Sequence, residues 1–464
     1  MENLISALSL IPVGIVFVFS ITRFRLRGRK SDAPKIIAFF HPYAAGRGGG
    51  ERVLWAAING LSDRKDVGRV IIYSNDDRKS EIIEARNKIF NFKSKIEDSK
   101  IVLKKLKFVH LMDPMVWPIA TLFGQSIGSV IVLLVALLTS SVSDWPDVYI
   151  DTTGCPFTLP IAKILTGAKT HAYIHYPTMS NDMLKKVSSK TTDFNNSEIF
   201  TKNFFLFKLK LLYYRFFLLC YRICGMFVDT AVGNSIWTVF RVQEVWKRTD
   251  VAILYPPAAI RDNKALLKAI PAKEDKQREN VLLSLAQFRP EKNHALQIRV
   301  FKRILETSPQ TKFWIMGGSR NAQDEELLAG LKKLAFKELS IPTENIEFVV
   351  NAPWDEISNR LSRGKCAIHT MIDEHFGISL IEFLEAKIPI VCHRSGGPES
   401  DILLPDEQFG YLASTEEEFA SKIINVLKNF NKAEVQDKRV NGFNSLYRFY
   451  SDERFGQEFS RIFL

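Results

Sequence analysis

Cysteine is scarce in this sequence, and its distribution argues against a cross-linked or zinc-stabilised protein. Five cysteines occur in 464 residues, an odd number at irregular spacings. A disulfide framework needs paired cysteines, and structural zinc sites commonly use C-x-x-C pairs, which are absent here. We therefore expect free thiols in a reducing compartment and no structural zinc.

The sequence also lacks the signatures of several enzyme classes. It contains no D-x-D triplet, the usual carboxylate pair that holds a metal–nucleotide complex. It has neither the H-E-x-x-H motif of metalloproteases nor the G-x-S-x-G motif of α/β-hydrolases. These absences argue against a metalloprotease and an α/β-hydrolase, and they leave the sequence without the usual carboxylate pair for a metal–nucleotide complex.

Composition excludes a disordered chain and narrows the choice of partner. Apolar residues make up 46% and charged residues 25% of the sequence, as in ordinary globular proteins. The net charge of +12 fits an anionic partner, which is a membrane surface, a nucleic acid or a phosphorylated ligand. The basic residues alternate with long apolar runs instead of forming a solvated patch, so no nucleic acid is expected.

The N-terminus predicts a membrane anchor. Residues 4–20 carry no charge, and five basic residues follow between positions 23 and 30. A cleaved signal peptide is the alternative, but its basic residues would precede the apolar stretch. We interpret residues 1–30 as a retained single-pass anchor with a basic flank, and the positive-inside rule then places the rest of the chain in the cytosol.

Two later apolar segments leave alternatives open. Residues 114–143 carry no charge, so they either span the bilayer or form a buried or membrane-facing helix, which we favour. Within residues 204–223, Lys208, Arg215 and Arg222 recur every seven positions and lie near one stripe of a helix. That helix is either a membrane-interface helix or a core helix whose cations reach the surface.

Strand-like and helical patterns alternate along the rest of the chain. Strand patterns occur in KIIAFF, RVIIY, DVYI, HAYIH and DTAV of the first half, and in VLLSLA, KFWIM, IEFVV, CAIH and IPIVC of the second. This alternation predicts an α/β fold with parallel sheets. We expect two Rossmann-like domains facing across a cleft, residues 31–260 with membrane-associated segments and residues 261–440, then a C-terminal helix at 441–464. Because ligands bind at the carboxyl ends of parallel strands, the cleft is the expected site.

Two motifs lie at strand ends in the first domain. HPYAAGRGGGER, residues 41–52, follows the first strand and contains Gly49 and Gly50. Glycines let the backbone approach a ligand, and the amides at a helix start favour anions; a tight turn is the simpler alternative. His175 ends HAYIH and could hydrogen-bond a transferred group. Five other histidines are interpreted as structural: His110, His171, His294, His369 and His393.

Two further motifs carry charge in the second domain. Arg289 and Lys292 follow VLLSLA, where a planar fork and a point charge could clamp a pyrophosphate; a solvated basic turn is the alternative. Glu374 and Glu382 stand on either side of a helix start near Gly377. The first amides of that helix can receive a diphosphate, and Glu382 can hydrogen-bond sugar hydroxyls.

Together these motifs resemble the GT-B retaining glycosyltransferases of the family-4 type. Within that group HPYAAGRGGGERVLWAAI, YIHYPTMSNDML, EHFGISLIEFLEA and HRSGGPESDI are similar to the dolichol-pathway α-1,2-mannosyltransferases, the ALG11 type. The resemblance implies GDP-mannose as donor and Man3GlcNAc2-diphosphate-dolichol as acceptor, on the cytosolic face of the endoplasmic reticulum membrane. It implies addition of the fourth and fifth mannoses with no cofactor, contact with membrane lipid, and leaves open an association with other mannosyltransferases of the pathway.

The resemblance also implies a role for each matching residue. Arg289 and Lys292 would hold the diphosphate and stabilise its growing charge, while the departing diphosphate takes the proton of the incoming hydroxyl. Glu374 would contact the mannose and Glu382 the ribose. His175 would lie beside the mannose, and with Glu374, Arg289 and Lys292 it completes the expected catalytic set.

Backbone contacts are implied as well. The amides of Gly377 and Ile378 would contact the mannose and the β-phosphate, and Gly49 and Gly50 would line the phosphates from the first domain. Arg47 departs from the uniform run of small residues expected in the glycine-rich loop. The residues that bind the acceptor are not implied.

Two rival functions follow from the same residues. Another nucleotide-sugar transferase of this fold, such as the α-1,3/1,6 enzyme of the dolichol pathway, would share every motif. A non-catalytic membrane adaptor would share the anchor, the apolar segments and the net charge. The intact pairs Glu374/Glu382 and Arg289/Lys292 favour an enzyme.

Overall fold

The computed structural model describes residues 33–46, 48–76, 78–80, 82–84, 96–180, 183–184, 204–258, 278–403, 407–449 and 451–464. The predicted anchor at residues 1–30 lies outside these ranges. The chain divides into two compact units. Unit 1 extends to Asn234 and adds Thr238–Tyr255 and Glu453–Leu464, whereas unit 2 comprises Ser235–Trp237 and Pro256–Asp452.

Unit 1 contains a seven-stranded parallel sheet. Its strands are β1 (Lys35–Phe40), β2 (Val67–Ser74), β3 (Ile101–Lys105), β4 (Val148–Asp151), β5 (Lys169–Ile174), β6 (Thr230–Gly233) and β7 (Val251–Ile253). They are ordered β3-β2-β1-β4-β5-β6-β7. Five of the six residues of β1 are buried, because a parallel strand is covered on both faces and is therefore apolar throughout.

Helices cover this sheet and share its apolar core. They are α1 (Gly49–Asn59), α2 (Thr121–Leu138), α3 (Thr158–Thr166), α4 (Phe204–Gly225) and α5 (Ile236–Trp246), which begins in unit 2. The core joins Phe40 and Tyr149 of the sheet to Leu133 of α2, Phe217 of α4 and Trp246 of α5. The burial of all three helices in one cluster fixes them against the strands.

Among the described residues, α2 is the one helix long and apolar enough to cross a membrane, with a mean hydropathy of 2.1. Its buried share is 44%, and Val132, Leu133, Ala136 and Leu137 contribute to the core. Helix α4 also has two apolar faces. One buries Phe217 and Tyr221, and the other exposes a stripe of five large apolar residues: Leu209, Leu212, Phe216, Leu219 and Ile223.

Unit 2 contains a six-stranded parallel sheet. Its strands are β8 (Val281–Leu285), β9 (Lys312–Gly317), β10 (Ile346–Val350), β11 (Cys366–His369), β12 (Ile390–His393) and β13 (Tyr411–Ala413). They are ordered β10-β9-β8-β11-β12-β13. The adjacent strands β8, β11 and β12 run parallel, so the loops that follow them emerge at one edge of the sheet.

The helices of unit 2 are α6 (His294–Thr307), α7 (Ala322–Lys333), α8 (Trp354–Arg363), α9 (Ile378–Glu385), α10 (Glu416–Lys428) and α11 (Ala433–Asn444). One apolar cluster joins Leu282 of β8 and Ile368 of β11 to Ile298 and Phe301 of α6 and Phe419 of α10. This cluster fixes α6 against the strands whose ends carry the predicted binding residues.

The helix predicted over residues 441–464 begins later than expected. Helix α11 ends at Asn444, a 3-10 turn covers Ser445–Arg448, and a separate helix, α12 (Asp452–Phe463), follows. Phe449 interrupts the helix because its backbone is extended (φ −96°, ψ 167°) and its ring packs edge-on against Phe376. Helix α12 belongs to unit 1, where Phe459 stacks on Phe39 of β1.

Candidate active site

A partly buried ion pair occupies the edge of the unit 2 sheet where β8 and β11 end. Lys292 lies in a 3-10 turn after β8, and Glu374 lies in the loop between β11 and α9. The Lys292 Nζ is 2.5 Å from Glu374 Oε2 and 3.1 Å from Met371 Sδ. His369, the last residue of β11, places its Nε2 3.0 Å from the same Oε2. Since a carboxylate only accepts, His369 donates from Nε2.

These contacts keep Glu374 charged although only 7% of its surface is exposed. Burial alone would raise the pKa of Glu374. The hydrogen bond from His369 and the charge of Lys292 outweigh burial and hold that pKa well below its usual range. The cluster is therefore a fixed carboxylate beside a cation, which suits hydrogen bonding to sugar hydroxyls and attraction of a phosphate.

The loop after β12 holds the backbone of Glu374 in place. Gly397 donates its N–H to the Glu374 carbonyl at 2.7 Å, and Asp373 donates its N–H to Ser395 Oγ at 2.8 Å. Gly396 has a left-handed backbone (φ +66°), and a Cβ there would overlap the Glu374 carbonyl oxygen. Only glycine fits this close approach, so Gly396 is required for the position of Glu374.

The predicted helix start lies directly after Glu374. Gly377 has φ +97° and is the N-cap of α9, and no side chain from the described ranges caps this helix end. The amides at Gly377 and Ile378 thus lie at a helix N-terminus next to the ion pair, where the helix dipole favours an anion. Glu382 lies one turn into α9 and is half-buried. Trp237 packs against His375 with ring centroids 5.4 Å apart.

Arg289 lies at the start of the same turn as Lys292. Its Nη1 is 3.6 Å from Glu291, and its Nε is buried with no hydrogen-bond partner among the described residues. A buried guanidinium nitrogen usually has an acceptor, so this nitrogen is an exception, although 34% of the Arg289 side chain is exposed. The structure therefore brings Lys292, Glu374 and the start of α9 together, with Arg289 on the same turn.

Unit 1 forms a second polar cluster at the ends of β1, β4 and β5. His41 directly follows β1 and places Nδ1 2.8 Å from Thr152 Oγ1, and His175 places Nε2 3.1 Å from the Thr152 carbonyl. His175 also lies beside the glycine-rich loop, because a Cβ on Gly50 would be 3.8 Å from its Nε2. Gly50 and His175, predicted separately, are neighbours.

Glu51 organises the glycine-rich loop from within. Its Oε2 accepts the N–H of Gly48 at 2.6 Å, and its Oε1 is 3.4 Å from His41 Nε2. Burial would raise the pKa of Glu51, but its contacts with His41 lower it instead. A Cβ on Gly46 would meet the carboxylate at 2.8 Å, so this glycine accommodates Glu51, whereas Gly49 and Gly50 open helix α1.

Sequence reasoning missed three residues of these clusters: His41, Glu51 and His369. The sequence favours a structural role for His369, and in the structure its imidazole holds the Glu374 carboxylate. One feature of the sequence could have identified His41 and His369. Each lies at the carboxyl end of a buried strand, the criterion that selected His175.

Comparisons with known proteins follow the same division of the chain. The family model described as ALG11 mannosyltransferase N-terminus matches residues 34–246, and the model described as Glycosyl transferases group 1 matches residues 268–441. A human protein named GDP-Man:Man(3)GlcNAc(2)-PP-Dol alpha-1,2-mannosyltransferase is 38% identical over 431 residues, which cover 90% of this chain and 85% of the human protein. The chain belongs to the ALG11 mannosyltransferase family.

Other members of the ALG11 family match to a similar extent. The protein of the same name from Xenopus laevis is 39% identical, with 93% of this chain and 88% of the relative covered. The one from Dictyostelium discoideum is 36% identical, with 93% and 85% covered. The match extends through both units, so it includes both polar clusters.

Solved structures show the fold. Anabaena HepE, crystallised with UDP-glucose, superposes with a TM-score of 0.62 at 13% identity, covering 92% of this chain and 98% of HepE. S. aureus TarM gives a TM-score of 0.61 at 12% identity, with 92% and 99% covered. The predicted α/β class, with two parallel sheets in a GT-B fold, is confirmed.

Proposed function

We propose that this chain is the α-1,2-mannosyltransferase that transfers mannose from GDP-mannose to Man3GlcNAc2-diphosphate-dolichol. The observation that carries this proposal is the 38% identity to the human enzyme of that name, which extends over 85% of the human chain. The Lys292–Glu374–His369 cluster supports it, because it supplies a cation for phosphate and a charged carboxylate for a sugar at one sheet edge.

We further propose that transfer retains the anomeric configuration and adds the fourth and fifth mannoses in succession. The bond between the mannose C1 and the β-phosphate oxygen breaks, and its electron pair stays on the diphosphate. The 2-hydroxyl oxygen of the acceptor bonds to the same face of C1, and its proton passes to the departing diphosphate. Arg289 and Lys292 stabilise the charge that grows on this leaving group, as oxyanion donors do.

The remaining predicted residues have places in this scheme. The amides of Gly377 and Ile378 receive the β-phosphate, Glu374 contacts the mannose and Glu382 the ribose. In unit 1, the start of α1 is formed by Gly49 and Gly50, and His175 supplies an imidazole. Their positions support these roles: the glycines and Ile378 lie at helix starts, His175 directly follows a parallel strand, and Glu374 and Glu382 lie on either side of the start of α9.

We propose that the reaction needs no metal ion. In the ranges that the structure describes, no group of three His, Cys, Asp or Glu side chains is arranged to hold one. Arg289 and Lys292 supply the positive charge that a metal would otherwise place on the diphosphate. Activity that persists in excess chelator is the expected result, and activity that needs added Mg²⁺ or Mn²⁺ would refute this proposal.

We propose that the enzyme acts at the endoplasmic reticulum membrane, anchored by residues 1–30 with both units in the cytosol. The apolar stripe of α4 supports a second contact with lipid. Leu212 and Phe216 are more than half exposed, and Phe216 packs near Phe123 of α2 at 5.5 Å. Lys208 and Arg215 adjoin the stripe in sequence, where they can reach anionic headgroups.

A reconstituted transfer assay tests the proposal. The full chain in detergent is given GDP-mannose and the trimannosyl lipid acceptor, and the product is analysed for linkage. We expect α-1,2 linkages and two successive additions, with Arg289→Ala at least tenfold slower. An α-1,3 or α-1,6 product would indicate the related transferase instead. Absence of GDP and GDP-mannose binding by calorimetry would indicate a non-catalytic adaptor.

A further inference from the structure

A buried hydroxyl lies directly behind the Lys292 turn. Thr370, fully buried, places its Oγ1 2.9 Å from the carbonyl oxygen of Lys292 and 3.0 Å from that of Asn293. Its third neighbour is Nε2 of Gln297 at 3.0 Å, also buried. Carbonyl oxygens only accept, so Thr370 donates to the turn and accepts from Gln297. The hydroxyl therefore has a partner on every side.

This hydroxyl links the two segments that carry the ion pair. Thr370 directly follows His369 and lies four residues before Glu374, while the single proton of its hydroxyl is shared between the carbonyl oxygens of Lys292 and Asn293. Asn293 has a left-handed backbone (φ +52°), a conformation that needs support from its surroundings. One side chain thus couples the position of the Lys292 turn to the segment that ends at Glu374.

The buried polar side chains beneath the Lys292 turn lower the free energy of unfolding of unit 2. Gln297 and His294 lie three positions apart on α6, and Gln297 Oε1 and both ring nitrogens of His294 have no hydrogen-bond partner among the described residues. Burial, with smaller effects from His369 and Lys292, lowers the pKa of His294 to about 3, so its ring is neutral. Leu282 and Ile298 of the same core show that apolar side chains pack in this layer. Gln297 and His294 therefore contribute more to the position of the Lys292 turn than to the stability of unit 2.

We propose that Thr370 and Gln297 are positioning residues for mannosyl transfer. The Thr370 hydroxyl, held by Gln297, fixes the Lys292 turn against the segment that carries His369 and Glu374. This fixes the Lys292 ammonium at the place where the donor's diphosphate leaves. The inference rests on the proposed function, because it assigns the hydrogen bonds to that same diphosphate site.

Isosteric substitutions test this proposal. Thr370→Val removes the hydroxyl and keeps the shape, Thr370→Ser keeps the hydroxyl, and Thr311→Val is the matched control. Thr311 is also fully buried in unit 2 and hydrogen-bonds Asn280 near the start of β9, at the opposite end of the strands. Each full-length protein is measured for thermal unfolding, GDP affinity by calorimetry, and kcat and KM for GDP-mannose.

We expect Thr370→Val to lower kcat by roughly 10- to 100-fold, since a displacement of about 1 Å at a catalytic group costs on that order. KM should rise less, because Lys292 acts mainly on the leaving group. Thr370→Ser should restore kcat to within about threefold of wild type. Thr311→Val should lower the melting temperature comparably while leaving kcat unchanged. A folded Thr370→Val protein with wild-type kcat and GDP affinity would overturn the proposal.

A second variant decides the matter if Thr370→Val does not fold. Gln297→Met keeps the length of the side chain and removes the donor to Thr370. A Gln297→Met protein with reduced kcat and an unchanged melting temperature supports the positioning role of Gln297 and Thr370. An unchanged kcat overturns the proposal. A wild-type protein that neither binds GDP-mannose nor transfers mannose refutes the proposed function instead, so the two failures are distinguishable.

Discussion

Replacing Lys292 by Met should destabilise unit 2 far more than loss of an ordinary surface charge. The substitution keeps most of the side-chain volume but removes the ammonium 2.5 Å from Glu374 Oε2. Removing one partner of a buried pair costs about 3–5 kcal/mol. The hydrogen bond from His369 remains, so we expect the lower end, about 3 kcal/mol. For a unit of this size that lowers the melting temperature by roughly 6–12 °C.

The effect should depend on pH with a defined sign. In the wild type the pKa of Glu374 is depressed, so its contribution to stability is present above the ordinary carboxyl pKa of about 4.3 and is lost at lower pH. Without Lys292, only His369 opposes the effect of burial, so the pKa of Glu374 lies above its wild-type value and the variant relieves its unpaired charge by taking up a proton. The difference in melting temperature between the wild type and Lys292→Met should therefore decrease as the pH falls from about 7 towards 5.

Thermal unfolding of the full chain in detergent measures both effects. Lys333→Met is the matched control, because Lys333 and Glu338 form an exposed pair 3.6 Å apart in the same unit. Such a pair contributes about 0–1 kcal/mol. Equal losses in Lys292→Met and Lys333→Met, or a gap that is the same at both pH values, would refute the reasoning. Mannosyl transfer by Lys292→Met should also fall by about 10²-fold or more.

Three further predictions concern other parts of the chain. Gly396→Ala should destabilise unit 2 by about 2–3 kcal/mol, because its Cβ overlaps Glu374, whereas Gly330→Ala on open helix surface should stabilise it by about 0.5–1 kcal/mol; similar melting temperatures would contradict this. A tryptophan at Leu212 should be quenched by brominated lipids in anionic vesicles and one at Val440 should not; equal quenching would exclude the α4 stripe as a lipid contact. Glu51→Gln should weaken GDP-mannose binding several-fold by loosening the glycine-rich loop, and unchanged binding by calorimetry would show that the loop does not need this charge.

Strands covered on both faces were predictable from the sequence because each is a continuous apolar run. The segments KIIAFF and CAIH, which are buried almost throughout, have the bounds of β1 and β11. The segment IEFVV has the bounds of the edge strand β10, where Glu347 is exposed. Strands β3, β7 and β13 were not predicted. In β3 only Ile101 is buried and two lysines follow, and β7 and β13 are three residues long. These strands depend on pairing with a neighbour, which a local pattern does not reveal.

The site was predictable in its parts but not in its contacts. Lys292 and Glu374 were selected because each lies just beyond a strand, and the parallel sheet brings those ends together. Their direct ion pair joins residues 82 positions apart, and loop conformation alone determines it. The role of Thr370 has no sequence signature, because a buried threonine after a strand is ordinarily a packing residue.

The position of the last helix affects how the protein is made. Phe459 and Phe463 of α12 pack against Phe39 of β1 and His171 of β5, and a Cβ on Gly60 would overlap the carbonyl of Gly456. Domains usually fold as they leave the ribosome, the first-synthesised before the next. Unit 1 is synthesised before unit 2, but its packing is incomplete until the twelve-residue helix α12 has been synthesised. Until then Phe39 and His171 lack the aromatic contacts of this helix. A chain that stops before Asp452 therefore leaves Phe39 and His171 of unit 1 without the aromatic contacts that α12 supplies.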